Sequence, residues 1–311
     1  MERFLKILVA TDTRLDDHPI VEEAAAIAQN NGGSLKIVDV VPEFSWTVRL
    51  SMKDHEHMRE LIGQEKQQKL EALAAPLRER GIEVDTRVLR GRTSVEIIRE
   101  VLRGDHDLVL RVAKGKDSRQ QGFFGSTGFK LLRKCPCAVW LVAPNTTPKF
   151  SHVLGCVDTS TDEQLDEELN DKIYELSSSI SQYHGGRFSI IHAWTIWNEQ
   201  MIKSRLNPEA FEEMKQQNRA HIQKSLDKFL GKHPSHVLAN DICLINGDPP
   251  TVIPEFALQH GVDLIVMGTV SRSGLSGMIM GNTAEQILSG IVCSVLAVKP
   301  ASFVCPIQLD E

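Results

Sequence analysis

The sequence predicts an α/β protein made of two tandem, doubly wound, parallel five-stranded sheets. Three observations predict it. The chain repeats itself, strand-like and helix-like segments alternate, and at least one strand is apolar without interruption. The repeat is the first of these. Leu8-Val9-Ala10-Thr11-Asp12-Thr13 matches Leu154-Gly155-Cys156-Val157-Asp158-Thr159 at an offset of 146. Gly32-Gly33-Ser34-Leu35 matches Gly185-Gly186-Arg187-Phe188 at 153. Gly91, Asp107-Leu108-Val109, Gly125 and Cys137 then match Gly247, Asp263-Leu264-Ile265, Gly281 and Cys293, all at 156. An offset that steps up twice and then holds is the signature of two copies of one domain that differ by loop insertions. A period this long means tandem domains rather than a solenoid.

In the first copy, strands are expected near 5–11, 34–41, 82–89, 107–112 and 138–142, with helices near 18–30, 53–80, 93–103 and 126–133. In the second, strands are expected near 152–158, 188–194, 239–246, 263–268 and 294–298, with helices near 162–183, 207–231, 250–260 and 283–289. Leu165, Leu169, Ile173, Leu176 and Ile180 step by three or four and mark one apolar helix face. Leu264-Ile265-Val266-Met267 is the uninterrupted run expected of a strand buried on both faces. Strand–helix alternation implies crossover connections and a parallel sheet in each copy. Ala143-Pro-Asn-Thr-Thr-Pro-Lys149, rich in turn formers, separates a domain at 1–143 from one at 150–311.

Composition narrows the function. Lys plus Arg number 35 against 41 Asp plus Glu, a formal charge of −6, so there is no global electrostatic footprint for nucleic acid. The longest apolar run, Cys137–Pro144, is far short of the roughly 20 residues that span a bilayer, so no membrane insertion is expected. The N-terminal apolar stretch reads as a strand rather than a signal peptide, and the expected compartment is the cytoplasm. Six cysteines without a Cys-x-x-Cys do not make a secreted disulfide framework, and Cys135-Pro-Cys137 reads as small residues packed before a strand, with a redox or metal role as the alternative. Asp54-His55-Glu56-His57 reads as a solvated helix start, because adjacent helical residues do not share a face.

In open α/β sheets ligands sit beyond the carboxyl ends of the strands. The richest such place follows the fourth strand of copy two, where Gly268 to Glu285 is dominated by small and hydroxyl residues and runs into a helix. Glycines admit close backbone approach and a helix N-terminus offers free N–H groups, a combination suited to phosphate. A long loop ending in a capping Asn or Thr is the purely structural alternative. No phosphate-loop Gly-x4-Gly-Lys-[Ser/Thr], Gly-x-Gly-x-x-Gly, Gly-x-Ser-x-Gly or His-Glu-x-x-His motif is present.

These residues resemble the universal stress protein family, in its tandem E-type form, over about residues 3–300. The resemblance implies an adenine-nucleotide α-hydrolase-like fold, two domains packed as an intramolecular pseudo-dimer through strands 138–142 and 294–298, and a non-catalytic stress-response role. It implies ATP or another small phosphorylated adenine ligand in domain two. The family's nucleotide-binding pattern, Gly-x2-Gly-x9-Gly-[Ser/Thr], places Gly268 at the first glycine, Ser271 at the second, Gly281 at the third and Asn282 with Thr283 at the hydroxyl position. By the same resemblance Asp158 faces the nucleotide and the backbone of Ala193 holds the adenine; Asp158 also fits a turn or cap carboxylate. Trp194 and Trp197 are expected to pack or to meet the other domain. Copy one keeps Asp12 and Gly125-Ser126, with Ala113 and Lys116 at the places of the first two glycines and Lys114 and Arg119 in a charged loop. Its nucleotide site is therefore expected to be lost. Two rivals remain. An ATP hydrolase or pyrophosphatase is disfavoured by the acidic, glycine-free Asp12–Asp17 loop after strand one, and an apolar or lipid-like ligand held between the domains is neither favoured nor excluded.

Overall fold

A computed structural model describes residues 4–44, 54–113, 124–144, 149–160, 164–233, 241–270 and 280–309. The first repeat runs β1 (Lys6–Ala10), α1 (Pro19–Asn31), β2 (Ser34–Val41), α2 (His55–Glu79), β3 (Val84–Arg90), α3 (Thr93–Gly104), β4 (Leu108–Val112), α4 (Ser126–Lys134) and β5 (Ala138–Val142). The second runs β6 (His152–Cys156), α5 (Gln164–His184), β7 (Arg187–Trp194), α6 (Glu199–Arg205), α7 (Pro208–Leu230), β8 (Ile242–Asn246), α8 (Pro249–Gln259), β9 (Leu264–Gly268), α9 (Asn282–Gly290) and β10 (Ser294–Val298). Short α6 is absent from the sequence reading. Its N-cap, Asn198, sits at φ 53°, and none of its residues is buried, so no apolar period announces it.

The chain forms two compact units. One comprises Glu2–Lys149, Thr269–Met280 and Ser294–Glu311. Its strands lie in the order β3-β2-β1-β4-β5-β10. All pairs among β1–β5 are parallel, as doubly wound topology requires. β10 is antiparallel to β5, with Leu296 opposite Trp140, and the Ala143 N–H donates to Ser294 Oγ at 3.0 Å. The other unit holds Phe150–Gly268 and Gly281–Cys293, with strands in the parallel order β9-β6-β7-β8.

The central strands are apolar at their middles because both faces are covered. Ile7, Leu8, Val9, Leu108, Val109 and Leu110 are inaccessible in one unit, as are Val153, Leu154, Leu264, Ile265 and Val266 in the other. On α5, Ile173, Leu176 and Ile180 are buried, while Leu165 at the head of the expected stripe is exposed. The repeated glycine pairs have a steric cause. Gly32 and Gly185 end α1 and α5 in the left-handed region, at φ 64° and 63°. A Cβ on Gly33 would stand 2.6 Å from the Leu5 carbonyl oxygen, and one on Gly186 would collide with the Phe150 carbonyl.

Candidate functional site

In the second repeat the carboxyl ends of β6, β7 and β9 gather the residues expected to matter. Asp158 follows β6 with its side chain 40% exposed. Its Oδ1 accepts from the Ser160 N–H at 3.0 Å and the Ser160 hydroxyl at 2.6 Å, so it does form the turn-type contacts expected of a carboxylate there. Asn170 on α5, itself buried, grips the Asp158 main chain twice. The Asp158 N–H donates to Asn170 Oδ1 at 3.1 Å, and Asn170 Nδ2 donates to the Asp158 carbonyl at 2.7 Å. The turn carrying Asp158 is thereby bolted to a helix.

His192, one residue before Ala193, is buried at the end of β7. The Thr159 N–H donates to its Nδ1 at 3.4 Å, and Thr159 Oγ1 lies 3.1 Å from the same atom. An Nδ1 that accepts leaves the ring proton of a neutral imidazole on Nε2, which stands 3.7 Å from Asp158 Oδ1. Neither Asn170 nor His192 was singled out from sequence. A signal existed for His192, polar within Ile190-Ile191-His192-Ala193-Trp194, but not for Asn170, which stands among Glu167, Glu168, Asp171 and Lys172.

Ala193 is paired with Ile245 of β8, and the β6 ladder ends opposite Ile191, two residues earlier. Gly268 closes β9, where a Cβ would stand 2.6 Å from Leu169 Cδ2, so a larger residue there must push the Leu169 side chain aside. Gly281 is the N-cap of α9 at φ −66° and ψ 142°, an ordinary extended conformation open to any residue. Asn282 is therefore the first helical residue rather than the cap; it and Thr283 are exposed. A glycine cap has no side chain to satisfy the first-turn N–H groups at the positive end of the helix. Ser271 lies outside the described residues. Trp194 packs with Ile196, Phe211 and Ile222, as expected, but Trp197 is 80% exposed and packs no core.

The strand ends of the first repeat are occupied by the chain's own charges. Asp12 is buried against Arg14, whose Nε and Nη2 donate to its two oxygens at 2.8 and 2.6 Å. Burial raises the Asp12 carboxyl, and the Arg14 contacts outweigh it, leaving the group below the usual carboxylate value. Buried Asp39, the counterpart of His192, accepts from the Thr13 N–H at 2.9 Å and from the Thr13 hydroxyl at 2.6 Å. The Lys66 ammonium, reaching in from α2, also donates to it at 2.5 Å. Arg111 on β4 donates to the Ala10 carbonyl at 3.3 Å, and burial lowers its guanidinium despite the nearby Asp12 and Asp39 charges.

Strand register also corrects the alignment of the repeats. β1 and β4 pair Ile7 with Leu108, and β6 and β9 pair Val153 with Leu264. The counterpart of Gly268 is therefore Val112, not Ala113, and the counterpart of Ser271 is Gly115, not Lys116. Ala113 instead matches Thr269. Their N–H groups donate to the equivalent carbonyls of Val142 and Val298. Each repeat has thus lost one of the first two glycines. Residues 114–123, with Lys114, Lys116 and Arg119, lie outside the described residues. Gly125 caps α4 at φ 36°, unlike Gly281.

The universal stress protein family model matches residues 3–143 and again 150–299. The chain belongs to the universal stress protein family. It is 28% identical over 315 residues to universal stress protein E of Photorhabdus laumondii, covering 99% of both chains. It is 27% identical over 317 residues to universal stress protein E of Escherichia coli, covering 100% of this chain and 99% of that one. A crystal structure of a functionally unknown protein from Pseudomonas aeruginosa has the same fold, with a TM-score of 0.74 at 20% identity over 96% of this chain and 93% of that chain. Among the described residues no helix is long and apolar enough to cross a membrane.

Proposed function

We propose that this tandem universal stress protein binds one adenine nucleotide, ATP or a related phosphorylated ligand, in its second repeat, and that it works as a ligand-responsive binding protein rather than as a catalyst. The domains in this reading are 1–143 and 150–311, and the site comprises Asp158, Ala193, Gly268, Ser271, Gly281, Asn282 and Thr283. The observation that carries it is the difference between the two strand-end turns. Asp158 is half-exposed and bonded within its own turn, whereas Asp12 is consumed by Arg14. The exposed first turn of α9 supports an anion beside it. The base would lie by the β7 end, where the β6 ladder has stopped.

A ligand that binds only the native state stabilises it by RT ln(1 + [L]/Kd), about 2.7 kcal/mol at 100 Kd. ATP should therefore raise the melting temperature of the full chain. Gly281→Leu should abolish that shift with little loss of ligand-free stability, because φ at Gly281 is already that of an ordinary residue. A melting curve unmoved by millimolar ATP would contradict the proposal.

A further inference from the structure

Cys135-Pro136-Cys137 joins α4 to β5, and the turn folds both sulfurs onto one side. Cys135 Sγ and Cys137 Sγ lie 3.5 Å apart. Cys137 Sγ also donates to the Ala138 carbonyl at 3.4 Å. Cys135 is buried, while Cys137 is partly exposed and gives the pair a solvent side. Behind them sits Lys299, buried just past β10, whose ammonium donates to the Cys135 carbonyl at 2.5 Å and lies 4.6 Å from the centre of the Phe303 ring. Among the described residues no carboxylate pairs with Lys299. The acidic groups it faces are the thiols of Cys135, Cys137 and Cys305, the last bonded to the Lys134 carbonyl at 3.3 Å. A buried ammonium without a carboxylate is costly unless another anion answers it. Here the ionisable groups beside it are thiols, and the Lys299 charge favours the thiolate form of Cys135.

We propose that Cys135 and Cys137 form a reversible thiol oxidation site, with Cys135 the nucleophile, Cys137 the resolving thiol and Lys299 the positioning cation. The co-reactant is a hydroperoxide. The Cys135 thiolate attacks its terminal oxygen, the O–O bond breaks, and the departing alkoxide or hydroxide takes up a proton. Cys135 is left as a sulfenic acid. Cys137 sulfur then displaces water from it to form the disulfide. In sum two thiols lose two electrons and two protons, and the hydroperoxide becomes an alcohol, or water, plus water. The sulfurs must close from 3.5 Å to the bonded separation of about 2.05 Å, a short movement within one turn.

The rest of the thiol set supports this assignment. Burial works to raise Cys135, but the Cys137 hydrogen bond and the Lys299 charge outweigh it and hold Cys135 below the ordinary thiol value. Burial pushes Cys137 up, as it does Cys156, Cys243 and Cys305, and it takes Cys293 up to about 12. Cys135 is thus the one thiol of the six that is held down. Burial also draws Lys299 to about 8, where the three facing sulfurs favour its charged form.

The test is a time course of the native full chain with hydrogen peroxide at neutral pH, followed by alkylation and peptide mass mapping. We expect two of the six thiols to be lost together as a Cys135–Cys137 disulfide that dithiothreitol restores, while Cys243 stays free. In Cys137→Ser, Cys135 should persist as a sulfenic acid that dimedone labels. Lys299→Met should slow oxidation of Cys135 about tenfold by removing the charge that favours its thiolate. Six free thiols after treatment, a principal disulfide to Cys305, or Cys243 reacting as fast as Cys135 would each overturn the proposal. The comparison of cysteines within the wild-type chain stands even where a variant fails to fold.

Discussion

The two repeats place the same elements around the carboxyl ends of their strands and then fill that place differently. After the first strand, Thr13 and Thr159 occupy the same position, and each bonds to the polar residue near the end of the second strand. In the first repeat that residue is Asp39, already answered by Lys66; in the second it is His192, an imidazole in place of the carboxylate. One step away, Asp12 is clamped by Arg14, whereas Asp158 stays half-exposed beside the His192 ring. The difference teaches that a repeated fold keeps its turn geometry while the charges held in that turn change from copy to copy. A charged ligand entering the first copy must displace existing ion pairs.

That contrast yields graded expectations. The largest concerns Lys66. Removing one partner of a buried ion pair leaves an uncompensated charge, so Lys66→Met should cost about 3–5 kcal/mol in urea unfolding. The double variant Asp39→Asn with Lys66→Met should regain most of that loss. Equal stability of wild type and the single variant would show that the pair does not lock the first copy. Next comes Gly268→Val, which places a Cβ against Leu169 and should destabilise by about 1–3 kcal/mol through overpacking. Added Leu169→Ala should relieve part of this. A Gly268→Val chain as stable as wild type would remove the packing explanation for that glycine.

The smallest effect is the pH dependence from Asp12. Its carboxyl lies below the usual value in the folded state, so its contribution is present above the unfolded value near 3.8 and is lost as pH falls through the folded one. Asp12→Asn should therefore flatten the acid limb of the stability curve below about pH 4. An acid limb identical to wild type would mean that the Arg14 clamp adds nothing.

Much of the architecture was legible before the structure. The offset repeat and the uninterrupted strand Leu264–Met267 follow from burial on both sheet faces, a constraint that writes itself into consecutive residues. The locking charges were half-legible. Asp39 within Ile37-Val38-Asp39-Val40 and Arg111 within Val109-Leu110-Arg111-Val112 are charges in apolar strands, and they could have been flagged. Lys66 could not, because its meeting with Asp39 depends on how α2 lies against β2. The offset of 156 that holds from Asp107 to Cys137 already sets Val112 opposite Gly268 and Gly115 opposite Ser271, and the pairing of Ile7 with Leu108 and of Val153 with Leu264 agrees with it. Short α6 had capping signals in Asn198 and Glu199 but no buried apolar face to read.

The central claim is that one repeat is open to nucleotide and the other is closed by its own ion pairs. Calorimetric titration of the full chain with ATP tests it most directly. We predict a stoichiometry near one, lost in Gly281→Leu and retained in Lys66→Met at temperatures where that variant is folded. Two equivalent sites per chain, or one site that survives Gly281→Leu and disappears on substitution of Gly125, would contradict it.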